Sequence, residues 1–261
     1  MWLVDLAWKN LWRNKSRTII TMAAVFFAVV LSVLTGSLTK GVFDHLIKNV
    51  VGFYTGYIQV HKQGYWDEQI LDNSFANDAQ LAAVSLGHPN VSSIAPRLES
   101  FALASSEQVT KGCMVVGIDP QMENTVTGLQ EKVSAGRYLN AHDRAVLLGS
   151  GLADRLQLTI GDTVVMIGQG YHGAMAAGKY EVAGLLKFGA PNLNDGALFM
   201  PLALAQELYG AEAMITSWVL SLHDPKETDR TAAGVQKLLG NGHEVMTWEQ
   251  MLPEIRQHIE S

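Results

Sequence analysis

The sequence holds a single cysteine, Cys113, so no intrachain disulfide can form and stability must come from packing. Cys113 sits in the apolar run Gly112-Cys113-Met114-Val115-Val116. That setting predicts a buried thiol behaving as a small hydrophobe, with a reactive or intermolecular thiol as the alternative. Charge is also scarce, at 17% of residues, below the roughly one quarter usual for soluble domains. A basic excess is missing altogether: the formal net charge is −6. Nucleic-acid recognition needs a basic stripe on the folded domain, so that class is excluded.

Catalytic and cofactor signatures are missing too. The eight histidines, His45, His61, His88, His142, His172, His223, His243 and His258, lack the close spacings of zinc sites. They read as surface or hydrogen-bonded histidines. Gly149-Ser150-Gly151 fails the spacing of a nucleophile elbow. Gly168-Gln169-Gly170-Tyr171-His172-Gly173 matches a dinucleotide-binding string, and residues 173–179 match the first part of a P-loop. Both need a helix N-terminus immediately afterwards to hold phosphate, and a strand-like run follows instead. Tyr180 also stands where the P-loop needs a hydroxyl for magnesium. A Gly-rich hairpin loop is the reading that fits, with a tip suited to touching a partner. Asn90-Val91-Ser92 is a glycosylation sequon by letter only. The chain therefore reads as a non-enzyme with no catalytic residue, cofactor or metal.

What the sequence does have is one long run without charge, residues 18–39, between Arg17 and Lys40. As a helix it reaches about 33 Å, enough for a hydrocarbon core of about 30 Å. Its apolar residues, among them Ile19, Phe26, Val30 and Leu34, surround the helix on every side, which requires lipid or a large core. Thr18, Thr21, Ser32 and Thr35 can return their hydroxyls to backbone carbonyls. A cleaved signal peptide is the rival, but Thr35-Gly36-Ser37 matches its cleavage site poorly.

Charge flanks this run unevenly. Lys9, Arg13, Lys15 and Arg17 oppose only Asp5 in residues 1–17, a local +3, so with −6 overall the remainder carries −9. The positive-inside rule then keeps the N-terminus cytoplasmic and puts the bulk of the chain outside. Val4, Ala7, Trp8 and Leu11 recur at helical spacing, predicting a short amphipathic helix on the cytoplasmic membrane surface over 1–17. Trp2, Trp8 and Trp12 suit the headgroup layer, and with Lys9, Arg13, Lys15 and Arg17 they form the candidate membrane-interface set. Trp2 and Leu6 sit poorly on the stripe, so a plain extension of the spanning helix stays open.

Beyond the span, residues 40–57 continue helically as a stalk, with Val42, Leu46, Val50 and Phe53 along one side. A strand at 57–61, a helix capped by Asn77 or Asp78, and strands at 91–105 and 113–118 follow. A second region, 119–210, holds strands at 145–149, 163–167, 180–186 and 197–200. Short helices fall at 151–158 and 202–209, the latter opened by Pro201. A strand at 217–222, a helix at 226–239 and a strand at 244–246 return to the first pattern. Thr247-Trp248-Glu249-Gln250 has capping-box spacing. The fold class expected is α+β: one transmembrane helix with a stalk, then a two-lobe mixed α/β extracytoplasmic domain. Its first lobe comprises 58–118 and 211–261, and 119–210 is inserted.

The opening Leu6-Ala7-Trp8-Lys9-Asn10-Leu11-Trp12-Arg13-Asn14-Lys15-Ser16-Arg17-Thr18, running into an apolar span, resembles the start of MacB/FtsX/LolCE-type ABC transporter permeases. Ala145-Val146-Leu147-Leu148-Gly149 with Gly151-Leu152-Ala153, then Leu158-Thr159-Ile160-Gly161-Asp162-Thr163-Val164, resembles that family's inserted lobe. Tyr180-Glu181-Val182-Ala183-Gly184 resembles its next strand, and Thr247-Trp248 the approach to its second span. The resemblance implies a four-span permease of the bacterial cytoplasmic (inner) membrane, with three spans following Ser261. It implies a second permease copy or paralogue, a separate cytoplasmic ABC ATPase, and mechanotransmission through the stalks to a MacB-like periplasmic core. The cargo implied is a lipoprotein, peptide or lipid-linked substrate, moved by lipoprotein release or efflux. The competing functional readings are a single-span anchored binding or assembly module and a secreted enzyme with a cleaved leader.

Overall fold

The computed structural model describes residues 13–50 and 54–253, and most of the amphipathic helix expected over 1–17 lies outside them. The chain separates into two compact units, Met1–Leu46 and Ile47–Ser261.

In the first unit the described residues form one helix, α1 (Lys15–Val50), whose last turn belongs to the second unit. Its stretch Lys15–Thr39 is long and apolar enough to cross a membrane, and none of that stretch is buried. Ile20, Phe26 and Leu34 are all 60% exposed or more, which in water would be a large unfavourable apolar area. The Thr21 and Thr35 hydroxyls donate to the carbonyls of Arg17 and Leu31 at 2.9 and 2.8 Å, so their polarity is satisfied within the helix.

After α1 the described part of the second unit resumes at Tyr54 and Thr55. Gly56, at φ +71°, then turns the chain into β1 (Ile58–Lys62). A side chain at Gly56 would collide with Val219, so the turn uses both the conformational freedom and the smallness of glycine. After the short helix α2 (Tyr65–Glu68) and the two-residue strand β2 (Phe75–Ala76), Asp78 caps α3 (Ala79–Leu86) by accepting from the Gln80 amide at 2.7 Å. Strands β3 (Val91–Ser105) and β4 (Thr110–Ile118) form a long hairpin.

The next segment begins with α4 (Pro120–Thr127), which has Asp119 as its cap and Pro120 in its first turn. It continues with β5 (Val133–Gly136), β6 (Ala145–Gly149), α5 (Ser150–Leu156), β7 (Thr163–Gln169) and β8 (Met175–Leu186). Then come α6 (Pro191–Gly196), β9 (Ala197–Pro201) and α7 (Leu202–Tyr209). The chain ends with β10 (Met214–Ile215), β11 (Ser217–Leu222), α8 (Thr228–Leu239), β12 (His243–Thr247) and α9 (Trp248–Met251). The capping box at α9 is present, with Gln250 accepting from the Thr247 amide at 3.0 Å.

Ten strands share one sheet, ordered β12-β1-β11-β3-β4-β9-β6-β8-β5, and β7 bridges β3 and β8. Followed round, the pairings β3-β4-β9-β6-β8-β7-β3 close into a ring of six strands. Inward-facing side chains fill it: Ala102, Ala104, Val115, Val146, Met166 and Val182 belong to one buried cluster. A second cluster, around Leu129, Leu147 and Phe199, packs outside that interior. A third joins Ile58, Val60, Trp218, Leu220 and Val235 under α8, whose buried Thr231, Ala232 and Val235 recur at helical spacing.

β7 and β8 pair antiparallel from Thr163↔Glu181 to Gln169↔Met175, so the glycine-rich strings lie in a hairpin. Its loop is tighter than the sequence suggests: β8 begins at Met175, leaving a single turn at Tyr171–Gly173. The strand expected from 180 thus starts five residues earlier.

Candidate functional site

Arg97 occupies the middle of β3, where pairing with β11 (Arg97↔Ser217) hands over to pairing with β4 (Arg97↔Ile118). Its side chain is fully buried. An isolated buried guanidinium would be very costly, so it must be paired. Glu123, fully buried on α4, meets it with two bonds, Nε to Oε2 at 2.9 Å and Nη2 to Oε1 at 2.6 Å. Thr127 Oγ1 donates to the same Glu123 oxygen at 2.8 Å, which helps to hold the carboxylate. Nη1 lies 3.5 Å from Glu99 Oε1. Burial lowers the Arg97 pKa, but the Glu123 and Glu99 charges outweigh it, and the net direction is upward.

Tyr54 brings the chain segment that follows α1 into this cluster. Its hydroxyl donates to Glu99 Oε1 at 3.1 Å and lies 3.0 Å from Met114 Sδ. Its ring faces the Arg97 guanidinium, 5.0 Å from Cζ to the ring centre. Burial first and Glu99 second push the Tyr54 pKa well up, so the phenol stays protonated and donates. Thr216 ties the next layer together: its hydroxyl accepts from the Glu99 amide at 2.9 Å, and its carbonyl accepts from His61 Nδ1 at 2.9 Å. His61 is completely buried and stacks on Tyr65 with ring centres 4.9 Å apart. Burial lowers its pKa and keeps it neutral. Its Nε2 has no hydrogen-bond partner, so this histidine is only half satisfied, where the sequence suggested surface or fully bonded ones.

Beside the cluster, the outer face of the ring carries an apolar groove of about 1150 Å³ lined by Tyr54, Phe101, Leu103, Met114, Ile167 and Leu252, among others. Phe101 and Leu103 are 63% and 53% exposed, on the face of β3 opposite Ala102 and Ala104.

Of the membrane-interface residues expected from sequence, Arg13, Lys15 and Arg17 are exposed at the start of the first unit's helix. Trp2, Trp8, Lys9 and Trp12 lie outside the described residues. Cys113 is free and buried inside the ring, and burial pushes its thiol up to about 12. Among the described residues no group of three or more His, Cys, Asp or Glu is placed to hold a metal. Sequence reasoning missed Tyr54, Arg97, Glu99 and Glu123. A charged Arg97 inside a strand-like apolar run was the available signal, but its partner 26 residues away carried none.

Residues 18–238 match the family model described as the MacB-like periplasmic core domain. The chain belongs to this family. The family resemblance seen in the sequence is thereby shown, and with it a family of transporter permeases rather than of classical enzymes. Among curated relatives, the lipoprotein-releasing system transmembrane protein LolC of Neisseria meningitidis serogroup B is 23% identical over 228 residues, covering 85% of this chain and 54% of that protein. The chain thus spans about half the length of that relative. Among solved structures, the periplasmic region of MacB from Actinobacillus actinomycetemcomitans superposes with a TM-score of 0.52 at 16% identity, covering 83% of this chain and 98% of that one. The extracellular domain of the ABC-type transporter YknZ from Gram-positive bacteria gives 0.52 at 16% identity, covering 74% and 100%. These likenesses establish the domain's fold as that of a MacB-like periplasmic domain, and the apolar helix precedes it in the chain.

Proposed function

We propose that this chain is part of the permease subunit of an ABC transporter and couples ATP hydrolysis by a separate cytoplasmic ATPase to movement of cargo on the outer side of the membrane. The family match running from the apolar helix through the domain carries this reading. The N-terminus is cytoplasmic, because Arg13, Lys15 and Arg17 precede an uncharged span. The tryptophans and basic residues of 1–17 sit at the headgroup layer, and residues 40–57 act as the stalk.

The domain divides into a lobe of 58–118 with 211–261 and an inserted lobe of 119–210, a division supported by a third apolar cluster whose buried members all come from the former. Mechanotransmission enters through Tyr54, whose hydrogen bond to Glu99 and ring contact with the Arg97 guanidinium tie the segment after α1 to the centre of β3. The subunit pairs with a second permease copy or a paralogue, and its cargo is a lipoprotein or an effluxed molecule.

The test is affinity capture of the full-length gene product from solubilised membranes, followed by assay of ATPase activity in the reconstituted complex. An ABC ATPase should co-purify, and Tyr54→Phe should uncouple cargo movement from hydrolysis. Capture of a stable partner that is not an ATPase would favour an anchored binding module instead.

A further inference from the structure

The groove on the outer face of the ring does not end in apolar walls. Tyr54, Thr55, Phe101, Met114, Met251 and Leu252 also line a second, smaller recess of about 190 Å³. There the chemistry changes. Glu99, Ser100, Gln59, Trp66 and Gln69 face this recess. Gln59 is 3% exposed; its amide nitrogen donates to the Thr55 carbonyl at 2.7 Å, and its Oε1 has no hydrogen-bond partner. A buried acceptor left unpaired is costly and marks a position where a donor is missing.

The charge has one sign. Two carboxylates, Glu99 and Glu123, oppose the single guanidinium of Arg97, a formal excess of one negative charge. The guanidinium is already engaged by both carboxylates and covered by the Tyr54 ring. Glu244 adds a further carboxylate nearby, accepting from the amides of Gly64 and Trp66 at 3.2 and 3.0 Å. Among the described residues lining groove and recess, none is lysine or arginine.

We propose that groove and recess together form a binding site for a small cationic amphiphile, with its apolar chain along Phe101, Leu103 and Ile167 and its protonated amine against Glu99 and Gln59. An ammonium supplies N–H donors for the unpaired Gln59 oxygen and the Glu99 carboxylate, and it neutralises the excess charge. At about 1150 Å³ the apolar trough is slightly larger than the about 300–1,000 Å³ typical of small-molecule sites. The recess, at about 190 Å³, is much smaller than the trough and suits a compact head group. An anionic head would face Glu99, with no lysine or arginine among the described lining residues to meet it. This inference goes beyond the coupling role, and its test needs no ATPase.

The 261-residue chain is reconstituted in nanodiscs of zwitterionic phosphatidylcholine. It is photolabelled with an eight-carbon alkyl amine carrying a terminal diazirine and, separately, with the matching alcohol and carboxylate. Peptide mapping should place the amine label on residues 99–103, 112–114 or 251–253, at about tenfold the yield of the alcohol, as one charge-assisted hydrogen bond confers. The carboxylate should label least. Glu99→Gln, which keeps an acceptor for Tyr54, should bring the amine down to the alcohol's level. Phe101→Ala, at an exposed position, should lower both. Label falling elsewhere, equal labelling by amine and alcohol, or indifference to Glu99→Gln would each overturn the proposal.

Discussion

Glu123→Ala is the sharpest perturbation of the buried cluster. It removes both short bonds to Arg97 and leaves a guanidinium with no exposed surface. Breaking a buried pair from one side costs about 3–5 kcal/mol, because the remaining charge is uncompensated. Glu99, 3.5 Å from Nη1, offsets part of this, which sets the expectation near the lower end, about 3 kcal/mol. Domains of this size lose roughly 2–4 °C of Tm per kcal/mol, so the midpoint should fall by about 6–12 °C. Replacing both partners together, as Arg97→Met with Glu123→Ala, removes the charge and its partner at once and should recover part of the loss. The assay is urea unfolding of the four proteins of the cycle, followed by the near-ultraviolet tryptophan signal, to which Trp218, buried beside the same strand, contributes. A cost below about 1 kcal/mol for Glu123→Ala, or a double variant as unstable as the sum of the singles, would refute the reasoning.

Acidification should destabilise the domain. Burial lowers the folded-state pKa of His61, and of His243 as well, so below the ordinary value of about 6.5 the unfolded chain takes up more protons than the folded one. Stability is then full above about pH 6.5 and is lost as pH falls toward the depressed folded values; urea midpoints at three pH values should show this, with a shallower slope in His61→Gln. Gly56→Ala should cost about 2 kcal/mol or more in the same unfolding assay, since it combines a left-handed backbone with a collision against Val219. Cysteine introduced as Asp67→Cys, at an exposed site, should react with a membrane-impermeant maleimide in intact spheroplasts. Cys113, buried and with its thiol pushed up to about 12, should give little background, and failure to label would refute the proposed orientation.

What could be read from sequence was local. The cap at Asp78, the Thr247/Gln250 box and the rejection of the phosphate strings all rest on neighbours within a few residues, and the structure carries each of them. Helix α4 was missed although Asp119 and Pro120 give it a start signal, because its composition is mostly polar and no apolar stripe announces it. The first residues of β8 were missed because Met175-Ala176-Ala177-Gly178 are small or flexible and lack β-branched side chains. Ring closure was out of reach: Ala102 pairs with Gly168 and Ser105 with Val165, and no pattern in either strand specifies the other. The exposed Phe101 and Leu103 obeyed the expected alternation of a strand but filled its outward positions with apolar groups, which periodicity alone reads as core.

One strand belongs to both halves of the sheet. β3 bonds to β11 through its first seven residues, to β4 from Arg97 onward, and to β7 at its end. At about 3.3 Å per residue it is a continuous rod of about 50 Å. Tension along it loads a whole ladder of bonds side by side rather than peeling them one at a time. A tug delivered near Arg97 would thus reach ladders in both the closed ring and the open part of the sheet along one strand.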